Sequence, residues 1–430
     1  MSFETTYPEH VQHLQAAAEA ALAQHKFESL VLCSGAPQQK NRFDDQWWPL
    51  SPTPAFSHWC PLAEPDAFVI VRAGRRPTLV RTVVDDFWET LAPPESEHFW
   101  SAFDTVTVEP GHAGDVLPGG RSAVVTRDPG TAPAGEVNPS GLVASLDAIR
   151  TKKTPYEIEC LAEAERRGVR GHRAAHDRFM HGTPSELELH LAYLEVTGQD
   201  DATTPYKNIF AIGAHAATLH HVAYERRGAA GDTSLLVDAG ARCNGYGSDI
   251  TRSYVRGNGA AAKRFGALIE RMEQLQQEVC RRIKPGMAYE DLHDDSHRLL
   301  ADVIRDLGIA KASAGELVER GITRALFPHG LGHSLGICTH DVGMKPRPPR
   351  TDNKFLRNTS AIEVGQVFTI EPGIYFIDAL LAPLRADERA RLVDWGVVDE
   401  LRPFGGIRIE DNVLVEAGGL RNLTREAFAA

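Results

Sequence analysis

Apolar and polar positions alternate along the first 125 or so residues in two different periods. "EHVQHLQAAAEAALAQ" carries apolar residues at helical spacing, whereas "SLVLCSG", "AFVIVRAGRRPTLVRT" and "SAVVTR" are short apolar runs broken by turn residues. Helix and strand signals that interleave in this way predict an α/β domain. The next stretch, "DPGTAPAGEVNPSG" (128–141), is rich in Pro, Gly and small residues and reads as a loop or linker. The expected division is an N-terminal domain over 1–147 and a second domain over 148–430.

The second part opens on strong helix-start chemistry. In "TPYEIECLAEAERRG", Thr154 is the expected N-cap, Pro155 takes the first helical position where its missing N–H costs nothing, and Glu157 completes a capping box. "TPSELELHLAYLEVTG" repeats the device with Thr183, Pro184 and Glu186. Helices are predicted over 260–283 and 289–307, and strands at "TSLLVDAG", "SDITRSYV", "VFTIEPGIYF" and "IRIEDNVLV". This predicts an α+β domain with an antiparallel sheet.

Composition narrows the function. With 430 residues, 42% hydrophobic and 24% charged, the chain is long enough for two domains that each bury a core. A formal charge of −12 argues against nucleic acid or anionic lipid as partner, because both need a cationic face. No signal-peptide pattern and no long apolar span stand out, so a cytoplasmic location is expected. The six cysteines are scattered without a C-x-x-C pair, which suits free thiols.

Acidic residues occur where they are costly. In "LLVDAGARCNGYGSDITRSY", Asp238 ends one apolar strand and Asp249 lies on the next, with the turn dipeptide Asn244-Gly245 between them. A turn centred near Cys243 and Asn244 would set the two aspartates directly opposite on one face, where like charges repel. Glu371 follows the apolar run Val367 to Ile370, and Glu410 sits beside Ile409 before another apolar run. Arg408 is placed to pair with Glu410 on the same strand face. One arginine cannot offset four carboxylates, whereas two divalent cations would, and a metal pair is a device for activating water. His329 and His333 have the spacing of a helical zinc motif, but Gly330, Gly332 and Gly336 make a helix unfavourable there. Chemistry alone does not rank His329, His333 and His340 as ligands.

In chain order, "VDAG" with "SDITRSY", "HGLGHSLGICTHDVG", "TIEPGIY" and "GIRIEDNVLV" resemble the metallopeptidase family with the pita-bread fold, which includes methionine aminopeptidase, aminopeptidase P and prolidase. The similarity runs from about Ala148 to Leu423. "FDDQWWPLSPTPAFSHWCP" and "TPYKNIFAIG" resemble the prolidase branch that also contains the organophosphorus acid anhydrolases. The resemblance implies that Asp238, Asp249, His333, Glu371 and Glu410 are the metal ligands, Asp249 and Glu410 being shared. It implies that His340 binds and polarises the substrate carbonyl, that His329 stands behind the ligands, and that Arg408 belongs to the catalytic group. His220 in "TLHHVAY" matches an upstream histidine of the family, with its neighbour His221 as the alternative. Tyr206 is implied to contact substrate.

What the resemblance implies is hydrolysis of Xaa-Pro dipeptides with two divalent metal ions per subunit. Mn²⁺ comes first for a ligand set rich in carboxylate, with Co²⁺ and Zn²⁺ as alternatives. Glu371 would move a proton to the leaving nitrogen. A phosphotriesterase activity could accompany this. The alternatives are an aminopeptidase P, which accepts longer peptides, and a non-catalytic peptide-binding module on the same fold, which would lack metal. In the resembling prolidases the segment "FDDQWWPL" reaches the neighbouring subunit's active site. That implies a homodimer in which Asp44 or Asp45, with Asp45 preferred, meets the substrate's amino end.

Overall fold

The computed structural model describes residues 2–82, 87, 88, 90 and 93–430. The chain forms two compact units: Met1–Cys160 with Cys243–Tyr246 and Gly336–Cys338, and the remainder, Leu161–Arg242, Gly247–Leu335 and Thr339–Ala430.

In the first unit the helix Phe3–His25 precedes a six-stranded sheet built from β1 (Ser29–Cys33), β2 (Phe68–Arg72), β3 (Thr78–Thr82), β4 (Asp104–Val108), β5 (Ser122–Val125) and β6 (Glu136–Val137). Their spatial order is β4-β3-β2-β1-β5-β6, with β1 antiparallel to β2 and parallel to β5. The central strands are the apolar runs read from the sequence, and β1 is buried along its whole length. The Pro- and Gly-rich stretch is more than a linker, because Ala123 and Val124 of β5 pair with Glu136 and Val137. Thr154 and Glu157 form the expected reciprocal cap: Thr154 N donates to Glu157 Oε2 at 2.8 Å and Glu157 N to Thr154 Oγ1 at 3.4 Å. "FDDQWWPL" lies in a turn closed by Lys40 N to Gln46 O and Trp48 N to Gln38 O, both 2.8 Å. Asp45 is exposed on it, beside Trp47 at 53% and Trp48 at 57% exposure.

The second unit pairs β7 (Ile209–Ile212), β8 (Thr233–Asp238) and β11 (Thr251–Arg256) in an antiparallel sheet of order β11-β8-β7. The two-residue strands β9 (Arg242–Cys243) and β10 (Tyr246–Gly247) flank the turn between β8 and β11. Further along lie β12 (Val367–Ile370), β13 (Gly373–Tyr375), β14 (Gly406–Arg408), β15 (Asp411–Glu416) and β16 (Gly419–Asn422), paired as β12-β15-β16 and β13-β14. The helices Ala260–Arg282 and Tyr289–Asp306 match the predicted spans to within a residue, and their apolar faces join the largest buried cluster. One helix start differs from expectation. Ser185, not Thr183, caps Glu186–Thr197, with Glu188 completing the box, because the capping residue must lie directly before the first helical one. None of the six cysteines is in a disulfide. Among the described residues no helix is long and apolar enough to cross a membrane.

Candidate metal centre

The turn between β8 and β11 is formed by Asn244 and Gly245, whose φ angles of 49° and 90° suit the tight turns that Asn-Gly favours. This register sets Thr251, not Asp249, opposite Asp238. The aspartates are therefore offset by two residues rather than directly opposed, the difference arising from a turn centred one residue later than expected. At the first residue of β11, Glu410 bridges to Thr251, with Glu410 N donating to Thr251 O at 3.0 Å. Asn412 grips the Asp249 backbone: its Oδ1 accepts from Asp249 N at 2.8 Å and its Nδ2 donates to Asp249 O at 2.5 Å.

The histidine loop reaches the same place by running beside β12. Thr369 N donates to His333 O at 2.9 Å, Leu335 N to Val367 O at 3.1 Å and Glu371 N to Leu331 O at 2.8 Å. His333 N in turn donates to Thr369 Oγ1 at 3.0 Å. Glycine is required at position 332, since a Cβ there would run into the Thr369 carbonyl.

These elements bring ligand atoms of Asp249, His333 and Glu410 within 4.8 Å of one another. His333 Nε2 lies 3.3 Å from Asp249 Oδ2 and 3.6 Å from Glu371 Oε1. Asp238 has two partners of its own: Oδ1 accepts from Tyr206 Oη at 2.7 Å and Oδ2 lies 2.5 Å from Arg408 Nη2. Arg408 thus pairs with Asp238 rather than with Glu410, and reaches Glu410 through Thr251. Arg408 Nε donates to Thr251 Oγ1 at 3.1 Å, and that hydroxyl donates to Glu410 Oε2 at 2.6 Å. Strand pairing is the reason: it sets β14 and residue 410 beside β8 and β11, so an acceptor from a neighbouring strand is closer than one on the same strand.

Electrostatics make the cluster costly without cations. Burial raises the proton affinity of Glu371 to about 7, and burial with the charges of Asp249 and Glu371 raises Glu410 well above the usual carboxylate range. Burial also lifts Asp238, against the pull of Arg408. For His333, burial opposes the charged form, but Asp249 and Glu371 outweigh it and hold its proton affinity above the ordinary value. Four carboxylates and one imidazole share the site with a single guanidinium. Divalent cations fit this donor set, because they would keep the carboxylates ionised where burial alone neutralises them.

The other expected residues surround this cluster. The ring of His340 stands 4.4 Å from that of His333, edge on, and the residue is exposed. His329 contacts Gly330 O through Nδ1 at 2.8 Å and Tyr375 Oη through Nε2 at 2.9 Å, and its Nδ1 is 3.7 Å from Glu371 Oε2. Burial and the nearby Arg408 push His329 down to about 3, so it is neutral. Of the doubled histidines, His220 is exposed and lies within electrostatic reach of both His329 and His340. His221 instead bonds Glu186 at 2.7 Å. Sequence reasoning passed over Thr251, Thr369, Tyr375 and Asn412, all of which stand inside or beside the motifs quoted for their acidic and basic neighbours.

The sequence model for metallopeptidase family M24 matches residues 159–417, and that for the Xaa-Pro dipeptidase N-terminal domain matches residues 5–147. The chain belongs to metallopeptidase family M24. As a member of that family it is 42% identical over 423 residues to an Xaa-Pro dipeptidase of Marinobacter nauticus, with 97% of each chain covered. It is 38% identical over 438 residues to an Xaa-Pro dipeptidase of Stenotrophomonas maltophilia, covering 99% of this chain and 97% of the relative. Zinc-substituted aminopeptidase P of Escherichia coli in complex with product superposes with a TM-score of 0.74 at 21% identity, over 97% of this chain and 95% of that one. An aminopeptidase of Pseudomonas aeruginosa gives 0.73 at 22% identity, with 97% and 95% covered. These likenesses establish the pita-bread fold of an M24 metallopeptidase.

Proposed function

We propose that this M24 metallopeptidase hydrolyses Xaa-Pro dipeptides, with residues 1–147 as its N-terminal domain and 148–430 as its catalytic domain. Asp238, Asp249, His333, Glu371 and Glu410 would hold two divalent cations, Mn²⁺ first. When bound, such a pair supplies activated water and stabilises the charge that develops on the carbonyl oxygen. The observation that carries the reading is the convergence of Asp249, His333 and Glu410 within 4.8 Å, three buried groups from the approach to β11, a loop and the link between β14 and β15, far apart in sequence.

Around that centre the side chains divide the remaining work. His340 and His220 face the scissile carbonyl and donate to its oxygen as charge builds there. Glu371 moves a proton to the proline nitrogen, a tertiary amide nitrogen that carries no hydrogen in the substrate. Arg408 holds Asp238 and, through Thr251, Glu410 in place. Tyr206 contacts substrate through its ring, its hydroxyl being engaged by Asp238. A homodimer brings Asp45 from the second copy toward the substrate's ammonium group, limiting substrates to two residues. The chain is read as a cytoplasmic enzyme.

Rates on Ala-Pro and Ala-Pro-Ala test the reading. Cleavage of the dipeptide at least tenfold faster is expected; preference for the tripeptide would make the chain an aminopeptidase.

A further inference from the structure

Helix Glu186–Thr197 already has its cap in Ser185 and Glu188, so Glu186 is not needed to start it. Its side chain is nonetheless fully buried. The carboxylate accepts four hydrogen bonds: Oε1 from Ile212 N at 2.8 Å and from His215 Nδ1 at 2.7 Å, Oε2 from Glu225 N and from His221 Nε2, both at 2.7 Å. Burial works against its charge, but the N–H groups of Glu225 and Ile212 and the two imidazoles outweigh it and hold Glu186 ionised. The two backbone donors are the ends of segment 212–225. The imidazole donors lie within it, stacked 4.5 Å apart.

Glu186, His215 and His221 are also one of two triads among the described residues with ligand atoms close enough to share a metal ion. Distances separate the two meanings. Ligands about 2.0–2.2 Å from an ion stand about 3.3 Å from each other in tetrahedral geometry, as His333 and Asp249 do at 3.3 Å. The nitrogens of His215 and His221 lie 2.7 Å from Glu186, which is hydrogen-bond spacing.

The segment that Glu186 staples carries His220, next in sequence to His221. We infer that Glu186 is a positioning residue for His220: by fixing both ends of 212–225 and the ring of His221, it sets where the His220 imidazole stands. The inference rests on the reading of the chain as an Xaa-Pro dipeptidase with His220 at its active site.

Hydrolysis of Ala-Pro by the Mn²⁺-loaded full chain tests it, comparing wild type, Glu186→Gln, His220→Ala and the double variant, with Tm measured for each. Gln keeps the shape but turns an amide donor toward an N–H or an imidazole. Glu186→Gln is expected to lower kcat roughly 10- to 100-fold with KM within about threefold. The double variant should fall no further than His220→Ala, since a residue that acts through another adds nothing once that other is gone. Losses that multiply in the double variant, or a Glu186→Gln enzyme with unchanged kcat, overturn the inference. If Glu186→Gln does not fold, His221→Phe replaces it in the same cycle, with a smaller loss that is again absent in the His220→Ala background; a multiplicative loss overturns the inference there too. A wild type inactive on Ala-Pro counts against the dipeptidase reading, whereas an active wild type with multiplicative losses counts against Glu186 alone.

Discussion

Arg408 Nη2 stands 2.5 Å from Asp238 Oδ2, and the same guanidinium donates to Thr251 and Tyr375. One buried cation therefore fixes an aspartate, a hydroxyl that serves Glu410, and a tyrosine that meets His329. A lysine is a point charge and cannot keep three directed contacts. Arg408→Lys is expected to lower kcat/KM for Ala-Pro by roughly 10². Arg408→Met, which leaves Asp238 buried without its cation, should destabilise metal-stripped protein by about 3–5 kcal/mol. Urea denaturation should show a smaller penalty with Mn²⁺ bound. An equal penalty in both states would separate Asp238 from the metals.

Ligands and carbonyl-facing histidines should fail differently. Asp249→Ala and Glu410→Ala are expected to lower both bound metal and turnover, because each would remove a carboxylate proposed to serve both cations. His340→Ala should keep the metals and lose kcat by roughly 10² to 10³. Metal content measured on the purified variants checks both. Full occupancy in the carboxylate variants, or an empty site in His340→Ala, would reverse the assignments.

Much of this site could be read from the chain because its acidic residues interrupt apolar runs. Asp238, Glu371 and Glu410 stand out against apolar neighbours such as Val237, Ile370 and Ile409, and no local pattern excuses them. What could not be read depends on register and on distant pairing. A one-residue error in the centre of the turn misplaced Asp249 by two positions. The partner of Arg408 lies 170 residues away, so local strand geometry pointed to Glu410 instead. Strand β4, "DTVTV", escaped notice because it edges its sheet and only alternate positions are even partly covered. Thr251 gave no chemical signal of its own, as a threonine on a strand is ordinary.

Stability should fall on the acid side of neutrality through histidines buried as neutral rings. Burial pushes His172 down to about 3 and His293 down to about 4. Both folded values lie below the ordinary value of about 6.5, so the unfolded chain takes up protons first as pH drops. Stability is then lost from about pH 6.5 downward until the folded values are reached, with each histidine worth about 2 kcal/mol by pH 5. Urea unfolding of metal-stripped protein at pH 7 and pH 5 checks this. His172→Gln and His293→Gln should each lose less between the two pH values than wild type, and equal losses would contradict it.

Asp45 is exposed beside Trp47 and Trp48, two large rings that a lone chain leaves half in water. A second copy covering them should bury at least about 1,000 Å². Asp45→Asn is expected to raise KM for Ala-Pro roughly tenfold with kcat within about threefold. Sedimentation as an active monomer, or an unchanged KM, would remove the role.

Xaa-Pro hydrolysis by this chain is proposed to depend on a pair of divalent cations held by buried carboxylates and His333. Titrating chelator-stripped protein with Mn²⁺ while following Ala-Pro cleavage tests it most directly. No turnover is expected in the stripped protein, and the rate should rise until two equivalents per chain are bound. Undiminished cleavage of Ala-Pro after complete removal of metal would contradict it.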